Sequence, residues 1–203
     1  GCISLLHVSL PKSIRRIEDR AFCDCSSLSE IEIPSGVTRL FSGTFFGCTS
    51  LLRISMPATL TRVGWYAFVS SSSLTAIDVD EGNPLYRSVK GVLFDKHLTR
   101  LVRCPEGFAG SLFIPASVIR LSSWCCESCS HLTEMIVDAA NPRYSSREGV
   151  VYDKGQTVVM ICPDGKAGQV VRLEPANKKY ETIRPKRGLA VEGVVSSVIR
   201  KLV

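Results

Sequence analysis

Apolar and polar residues alternate along several short stretches of this chain, and most of these stretches end at a proline. In one of them Ile31 and Ile33 alternate with Glu30 and Glu32. Alternation places the isoleucines on one face of a strand and the glutamates on the other. Proline has no N–H to donate, so it ends the strand ladder. Short strands are therefore predicted near residues 7–10, 30–33, 53–56, 76–79, 111–114 and 134–137.

The same sequence motif recurs every twenty-three residues. GCISLLHVSLP at residues 1–11 and GCTSLLRISMP at 47–57 share seven of eleven residues, and DCSSLSEIEIP at 24–34 lies midway between them. One unit reads I-P-x-x-V-x-x-I, five residues, then F-x-x-C-x-x-L-x-x-I. A fixed period of twenty to thirty residues is typical of stacked repeats, in which each coil buries its apolar face against its neighbours. We therefore expect a solenoid of about seven coils.

A longer repeat occupies the second half of the chain. Residues 83–110 match residues 141–168 at fourteen of twenty-eight positions without a gap. Within each copy, two runs rich in apolar and β-branched residues flank a polar connection that contains an Asp-Lys pair, at residues 95–96 and 153–154. Such runs predict β-hairpins. The Asp-Lys pairs are accordingly interpreted as turn residues and not as a catalytic pair.

Two motifs carry a family resemblance. Phe22, Cys25, Leu28, Ile31 and Pro34 recur together, and both long units contain N-P-x-Y-x-S-x-x-G-V-x-x-D-K. These motifs resemble the leucine-rich repeat of the BspA-like class and its longer variant. The resemblance implies an α/β leucine-rich repeat solenoid, with short parallel strands on a concave face, short helical turns on the convex side and two long repeats that contain β-hairpins.

The same resemblance carries an expectation about function. Proteins of this class are mostly surface proteins of mucosal bacteria and protist parasites, and the characterised ones are similar to adhesins for host matrix proteins or other cells. The resemblance covers about residues 1–171. It implies that residues 1–171 form the solenoid. The repeat pattern stops after about Leu173, so residues 172–203 are expected to be a degenerate terminal repeat, a basic tail, or an out-of-frame sequence from a truncated gene end.

The net charge of +6 comes mostly from that last segment. Residues 172–203 hold eight Lys and Arg against three Glu, which leaves seventeen basic and sixteen acidic residues in the repeats. A near-neutral repeat region offers no electrostatic footprint for phosphate, so no nucleic-acid partner is predicted. The sequence has no run of about twenty apolar residues, so no direct membrane insertion is expected. Because Gly1-Cys2 falls inside a repeat, we expect a fragment of a longer protein with any signal peptide upstream.

Nine cysteines raise the question of a metal or disulfide site. Six of them fall in two repeat columns, which are usually buried ridges of small apolar side chains. The columns are Cys2, Cys25, Cys48 and Cys129, and Cys104 with Cys162. The segment CCESCSH at residues 125–131 has zinc-like spacing, but its last cysteine is explained by the repeat, so no metal is predicted. A disulfide from Cys23, Cys25 or this segment remains open, and the odd count leaves at least one thiol without an internal partner.

No catalytic constellation is evident. His7, His97 and His131 lie in unlike contexts, and none stands in a recognisable nucleophile pattern. Phosphate-binding glycine motifs are missing from the sequence. The chain is therefore predicted not to be an enzyme and to need no cofactor.

The remaining candidate is the outward face of the strands, which solenoids present to protein ligands. The residues predicted to bind there share an outward position on a strand and a charged, polar or aromatic side chain; they are Glu30, Glu32, Arg53, Ser55, Asp78, Phe113 and Glu134. The favoured hypothesis is an adhesion module at the cell surface or secreted, bound to an extracellular matrix or cell-surface protein. The alternative is a cytoplasmic protein-interaction scaffold or a regulatory repeat region of a longer protein.

Overall fold

The computed structural model describes residues 1–64 and 66–166 of the chain. Within those residues the chain forms fourteen short β-strands and a 3₁₀ turn at Asp164–Lys166. The strands are β1 (Glu30–Glu32), β2 (Arg39–Leu40), β3 (Arg53–Met56), β4 (Arg62–Val63), β5 (Ala76–Val79), β6 (Tyr86–Val89), β7 (Val92–Asp95), β8 (Arg100–Arg103), β9 (Gly110–Ile114), β10 (Arg120–Leu121), β11 (Leu132–Val137), β12 (Tyr144–Arg147), β13 (Val150–Asp153) and β14 (Val159–Ile161).

The chain divides into two compact units. Unit 1 contains Gly1–Ala109 and Arg120–His131, and the described part of unit 2 covers residues 110–119 and 132–166. The fold is a β-solenoid, as predicted, with about five turns in the described residues where about seven coils were expected. The expected boundary between residues 171 and 172 lies outside the described residues and stays a prediction.

Each unit has a parallel sheet built from equivalent strands of successive coils. In unit 1, β1, β3 and β5 pair in parallel, and Ile31, Ile54 and Ile77 are direct neighbours in register. In unit 2, β9 pairs with β11 in the same way. The predicted strands are thus confirmed in position, except that residues 7–10 contribute only a bridge from His7 to Glu30.

Unit 1 has further parallel pairing along another column of the coil. Strands β2 and β4 pair in register, an isolated bridge joins Ile17 to Leu40, and β8 pairs with β10. Each of these strands is two to four residues long because only a few residues of each coil are extended there. The apolar partners Ile17, Leu40 and Leu101 are buried, whereas the residue before each of them is exposed.

Identical columns stack on themselves inside the coil. The Phe22 and Phe45 rings lie 5.5 Å apart between centroids with an interplanar angle of 5°, and Phe68 continues the stack 6.2 Å from Phe45. Leu28 and Leu51, from successive coils, are completely buried. Burial of a large aliphatic or aromatic side chain contributes about 1.5–3 kcal/mol, so each added coil is stabilised mainly by these columns.

Turns, and not helical segments, form the return side of the coils in the described residues. Residues with positive φ recur there at the repeat period, and they are Arg20, Asp24, Gly43, Gly47, Tyr66 and Ser70. An α-helix cannot contain a left-handed residue every fourth position, because such residues break the helical hydrogen-bond ladder. The expected short helical turns on this side are therefore replaced by hydrogen-bonded turns, such as the one closed by the Cys23 N–H and the Arg20 carbonyl at 3.0 Å.

The predicted hairpins are present and are larger than expected. In unit 1, β6, β7 and β8 form an antiparallel meander, and β12, β13 and β14 do the same in unit 2. The carboxylate of Asp95 accepts the backbone N–H groups of Thr99 and Arg100 at 2.6 and 2.8 Å, which closes the turn between β7 and β8. Burial would raise the pKa of Asp95, but these hydrogen bonds and the Thr99 hydroxyl outweigh it and lower the pKa.

Asn83 is a structural link between coils, which the turn signal of Asn-Pro did not reveal. Its side chain is fully buried, and its amide donates to the carbonyls of Pro57 and Leu60 at 3.0 and 2.8 Å. Its side-chain oxygen accepts the N–H groups of Leu85 and Tyr86. Asn141 in unit 2 makes the same four hydrogen bonds, to Pro115, Val118, Arg143 and Tyr144.

The cysteine column is buried for a reason beyond apolar packing. The Cys48 thiol donates to the Phe22 carbonyl of the preceding coil at 3.0 Å, and Ser71 in the same column donates to the Phe45 carbonyl at 2.9 Å. Cys25, Cys48 and Cys129 are buried as predicted. The prediction was wrong for Cys2, which lies in the outermost described coil and is exposed.

No helix in the described residues combines the length and apolar character required to cross a membrane.

A buried charge in the isoleucine stack should unfold the repeats. Ile54→Asp places a carboxylate between Ile31 and Ile77, where no partner is available, at a cost of several kcal/mol. We expect loss of the strand signal in circular dichroism or a large fall in melting temperature. Ser55→Asp, on the exposed face of the same strand, is the control and should melt like the parent chain. An Ile54→Asp protein as stable as Ser55→Asp would contradict the stacked core.

Removal of the buried asparagine amide should destabilise each unit separately. Asn83→Ala removes a donor from the Leu60 carbonyl and an acceptor from the N–H groups of Leu85 and Tyr86, whereas the Pro57 carbonyl still accepts the Leu60 N–H. A buried unpaired group costs about 1–3 kcal/mol. We expect the free energy of unfolding of unit 1 to fall by at least that amount, with Asn141→Ala acting on unit 2. Glu81→Ala, whose exposed side chain lies two residues from Asn83, is the control. Denaturant titration measures all three variants.

Thiol reactivity should follow burial. Burial raises the pKa of Cys48 to about 12, so the reactive thiolate is scarce at neutral pH. In native protein at pH 8, an alkylating reagent should modify exposed Cys2 rapidly and leave Cys48 and Cys129 slow, as mapped by mass spectrometry. The denatured chain, in which all cysteines react, is the control. Rapid native labelling of Cys48 would show that its column is not buried.

Candidate functional site

The strand face of unit 1 consists of the outward residues of β1, β3 and β5. One column runs through Glu30, Arg53 and Ala76, and the next runs through Glu32, Ser55 and Asp78. Parallel strands lie about 4.8 Å apart, so these side chains form closely spaced rows. Five of the seven predicted binding residues are therefore brought together in unit 1.

Two polar pairs order this face. Arg53 lies 3.1 Å from the Asp78 carboxylate, diagonally across the sheet, and both side chains remain largely accessible to solvent. His7 approaches Glu30 at 3.9 Å. Exposed pairs of this kind contribute at most about 1 kcal/mol, so they are available for exchange with a ligand. Three carboxylates face one guanidinium in the two columns, which makes the strand face of unit 1 acidic.

Ala76 ends this face and is buried, although its place in one column with Glu30 and Arg53 predicts an outward side chain. The turn between β6 and β7 lies over it, and a Cβ at Gly91 would come within 2.9 Å of the Ala76 Cβ. The carbonyl of Gly91 also accepts the Ile77 N–H at 2.8 Å. Gly91 has a φ of 81°, which favours glycine, so only glycine suits this position. The long repeat therefore covers the edge of the sheet in unit 1.

Unit 2 has a shorter strand face with a different character. Phe113 on β9 and Ile136 on β11 are neighbours in register, and they are 52% and 43% exposed. Beside them, the Ser111 hydroxyl donates to the Glu134 carboxylate. Glu134, which the sequence predicts to bind a ligand, is only half exposed because the turn at Gly149 lies against it. A Cβ added to Gly149 would come 2.5 Å from the Glu134 Cβ.

The cysteine-rich segment is packed into unit 1. Cys104, Cys125, Cys126 and Cys129 are buried, and the Cys129 thiol donates to the Pro105 carbonyl at 3.4 Å. In residues 1–64 and 66–166, no three His, Cys, Asp or Glu side chains are placed to hold a metal ion together. The nine cysteines are unbridged, with Cys125 and Cys126 sulfurs 3.9 Å apart.

A buried ion pair was missed from the sequence. Arg103 and Glu106 lie 2.9 Å apart, and Glu106 also accepts the Ser70 N–H at 3.0 Å. Burial raises the pKa of Glu106, which Ser70 and Arg103 partly oppose. The second long repeat has Ile161 at the place of Arg103, so the pair is not part of the duplicated motif. Its contacts are structural, because Arg103 also donates to the Trp124 carbonyl at 2.8 Å.

Comparison with known families gives a direct match to the repeat. Residues 1–94 match the model described as BspA type leucine rich repeat region, in six copies. No curated protein sequence matches the chain.

Three solved structures are similar to parts of the chain, each over 60% of it. A leucine-rich repeat protein from Eubacterium ventriosum ATCC 27560 has 17% identity, a TM-score of 0.46 and 44% of its own chain covered. The pneumococcal vaccine antigen PcpA has 28% identity, a TM-score of 0.47 and 36% covered. A leucine-rich cell surface protein from Faecalibacterium prausnitzii A2-165 has 22% identity, a TM-score of 0.34 and 48% covered.

This chain therefore spans less than half the length of each of those structures. The family model over residues 1–94 agrees with the repeat period of the chain and with its stacked isoleucine and phenylalanine columns. Residues 1–94 are thus a BspA-type leucine-rich repeat region.

Proposed function

We propose that this chain is a non-enzymatic protein-binding module of a cell-surface or secreted adhesin, and that its strand faces bind an extracellular matrix or cell-surface protein. The family match supports the repeat module, since leucine-rich repeats generally mediate protein interactions. The resemblance to the BspA-like class supports the adhesive role. The ligand would contact Glu30, Glu32, Arg53, Ser55 and Asp78 in unit 1, or Phe113 and Glu134 in unit 2.

The exposed apolar pair in unit 2 is the observation that carries this proposal. Phe113 and Ile136 stand side by side on a parallel sheet, flanked by the polar Ser111 and Glu134. Protein interfaces concentrate their binding energy in a few aromatic or Arg anchors, surrounded by polar residues that exclude water. An aromatic ring held on rigid strands loses little conformational freedom on binding, which suits it to act as such an anchor.

The strand face of unit 1 suits a different part of a protein ligand. Its carboxylates outnumber its guanidinium, so it favours a basic surface. The side chains there are exposed and weakly paired, whereas the residues beneath them, such as Ile54, are fully buried. Substitutions on this face should therefore change binding without changing the fold.

A second candidate function is a cytoplasmic scaffold or a regulatory repeat region of a longer protein. It is favoured by the use of Cys25, Cys48 and Cys129 as buried packing residues of one column, because reduced cysteines are typical of cytosolic proteins and disulfides of secreted ones. Alkylation of the protein as isolated from its native host, followed by mass measurement, separates the two. Nine alkylated cysteines would favour the cytoplasmic candidate, and a disulfide would favour the surface one.

Substitution of the anchors should weaken binding in a folded protein. We expect Phe113→Ala and Arg53→Ala each to cost about 1–3 kcal/mol of binding free energy, because each removes a potential anchor from an exposed face. Reversal of charge at Glu30, Glu32 and Asp78 should weaken binding to a basic ligand further. Binding of the purified chain to immobilised fibronectin, laminin and collagen measures this, with circular dichroism as the folding control.

Exposed residues of unit 1 outside the strand face provide the matched control. Arg87→Ala removes a guanidinium from β6, and should leave binding unchanged. A folded protein with Glu30, Glu32, Arg53, Asp78 and Phe113 all changed that still binds with parental affinity would rule out the strand faces as the site.

A further inference from the structure

Unit 1 carries a row of exposed arginines on its second set of parallel strands, away from the strand face. We call the set the arginine row, and its members are Arg16, Arg39, Arg62, Arg100 and Arg120. Arg39 is paired in register with Arg62, and Arg100 with Arg120. The bridge between Ile17 and Leu40 places Arg16 next to Arg39. The parallel pairing therefore stacks guanidinium-bearing residues about one strand spacing, roughly 4.8 Å, apart.

The two halves of the row are linked through Tyr86. Tyr86 packs against the same core as Val63, the residue after Arg62, and its strand β6 lies in the same sheet as β8, which carries Arg100. All of these residues belong to unit 1, so the row is a feature of one compact unit. The buried residues beside the arginines, Ile17, Leu40 and Leu101, fix the backbone of the row to the core.

The charges of the row are mostly not compensated. Arg16 pairs with Glu18 at 2.6 Å, but Arg39, Arg62, Arg100 and Arg120 have no ion pair within the described part of the chain. Asp95 accepts the backbone N–H of Arg100, but its carboxylate is shared with the N–H and hydroxyl of Thr99. Like charges at such spacing repel one another, so the row costs free energy that a bound polyanion would recover.

We propose that the arginine row binds a linear sulfated polysaccharide. Two runs of guanidinium groups at one strand spacing, Arg16–Arg39–Arg62 and Arg100–Arg120, fit a linear polymer better than a folded protein surface. The guanidinium fork binds oxyanions through two parallel hydrogen bonds, and every member of the row is Arg with no Lys among them. This site is separate from the protein-binding strand faces and goes beyond the function proposed for them.

The close spacing of the guanidinium groups favours a polysaccharide that carries sulfates over one that carries only carboxylates. A polysaccharide with a single carboxylate in each disaccharide spaces its charges more widely than one guanidinium for each strand. A sulfated polysaccharide has several charges in each disaccharide and comes closer to that spacing.

Nucleic acid suits the row less well. Proteins that bind single strands combine a basic groove with aromatic platforms on which bases stack. Phe41 is already covered by Arg16 and Arg39, at 4.8 and 4.4 Å from its ring centroid, and Tyr86 is half-buried. The Phe41 ring is therefore used to position two guanidinium groups and is not open to a base.

The test compares two triple variants of the full chain with equal changes in charge. The row variant is Arg62→Gln, Arg100→Gln and Arg120→Gln, which leaves the Arg16 and Arg39 contacts with Phe41 intact. The control variant is Arg20→Gln, Arg87→Gln and Arg143→Gln, which removes three exposed arginines outside the row and outside the strand faces. Heparin oligosaccharides of defined length are the probe, and circular dichroism checks folding.

We expect the row variant to lose on the order of tenfold or more in heparin affinity at about 50 mM salt, and the control to lose little. The dependence of affinity on salt should become shallower by about two counterions in the row variant only, because fewer sulfates are contacted. If the triple variant does not fold, Arg62→Gln alone should lose several-fold, since that side chain has no ion pair in the described residues.

Four results would overturn the proposal. The parent chain could fail to bind heparin at low salt, or both triple variants could lose affinity equally. Binding could survive in the row variant, which would assign it to the basic residues 172–203 or elsewhere. Hyaluronan, which has carboxylates alone, or single-stranded DNA could bind the row more tightly than heparin does.

Discussion

The whole structure depends on in-register parallel pairing between coils. Backbone groups of one coil are satisfied by the next, as when Ile54 pairs with Ile31 on one side and Ile77 on the other. A coil of twenty-three residues cannot bury its own apolar face, so its stability comes from its neighbours. Because the register is fixed, each position of the repeat stacks on the same position of the next coil. The chemistry of one column is thereby repeated along the unit.

This repetition acts on buried polar groups as strongly as on apolar ones. Cys48 and Ser71 occupy one column and each donates to a phenylalanine carbonyl of the coil before it. A small side chain with a donor fits there, which explains how serine replaces cysteine without loss of the contact. Where the long repeats interrupt the short period, Asn83 and Asn141 take over, and each satisfies four backbone groups at once. These contacts hold the register across the insertions.

The sequence predicted the elements that follow from periodicity and missed those that depend on how coils meet. Strand positions, the isoleucine stack and the hairpins could be derived because alternation and repeat spacing report them directly. The turns of the return side were taken for helical, since the left-handed positions Arg20, Asp24 and Tyr66 are not glycine and give no local signal. The cover over Ala76 and Glu134 was missed because it comes from a hairpin turn fifteen residues further along the chain.

The distribution of charge over the structure differs from what the total charge of the sequence suggests. Seventeen basic and sixteen acidic residues in positions 1–171 suggest a surface without electrostatic character. Stacking separates the two signs, since Glu30, Glu32 and Asp78 fall on the strand face of unit 1 while the arginine row falls on other strands of the same unit. The arginine row adds positive charge at a spacing of about one strand, and the strand face of unit 1 has three carboxylates against one guanidinium, so the local potential is set by the columns and not by the total. A repeat protein that is neutral by count can therefore present an acidic and a basic surface within one unit, and can select partners of opposite charge with each.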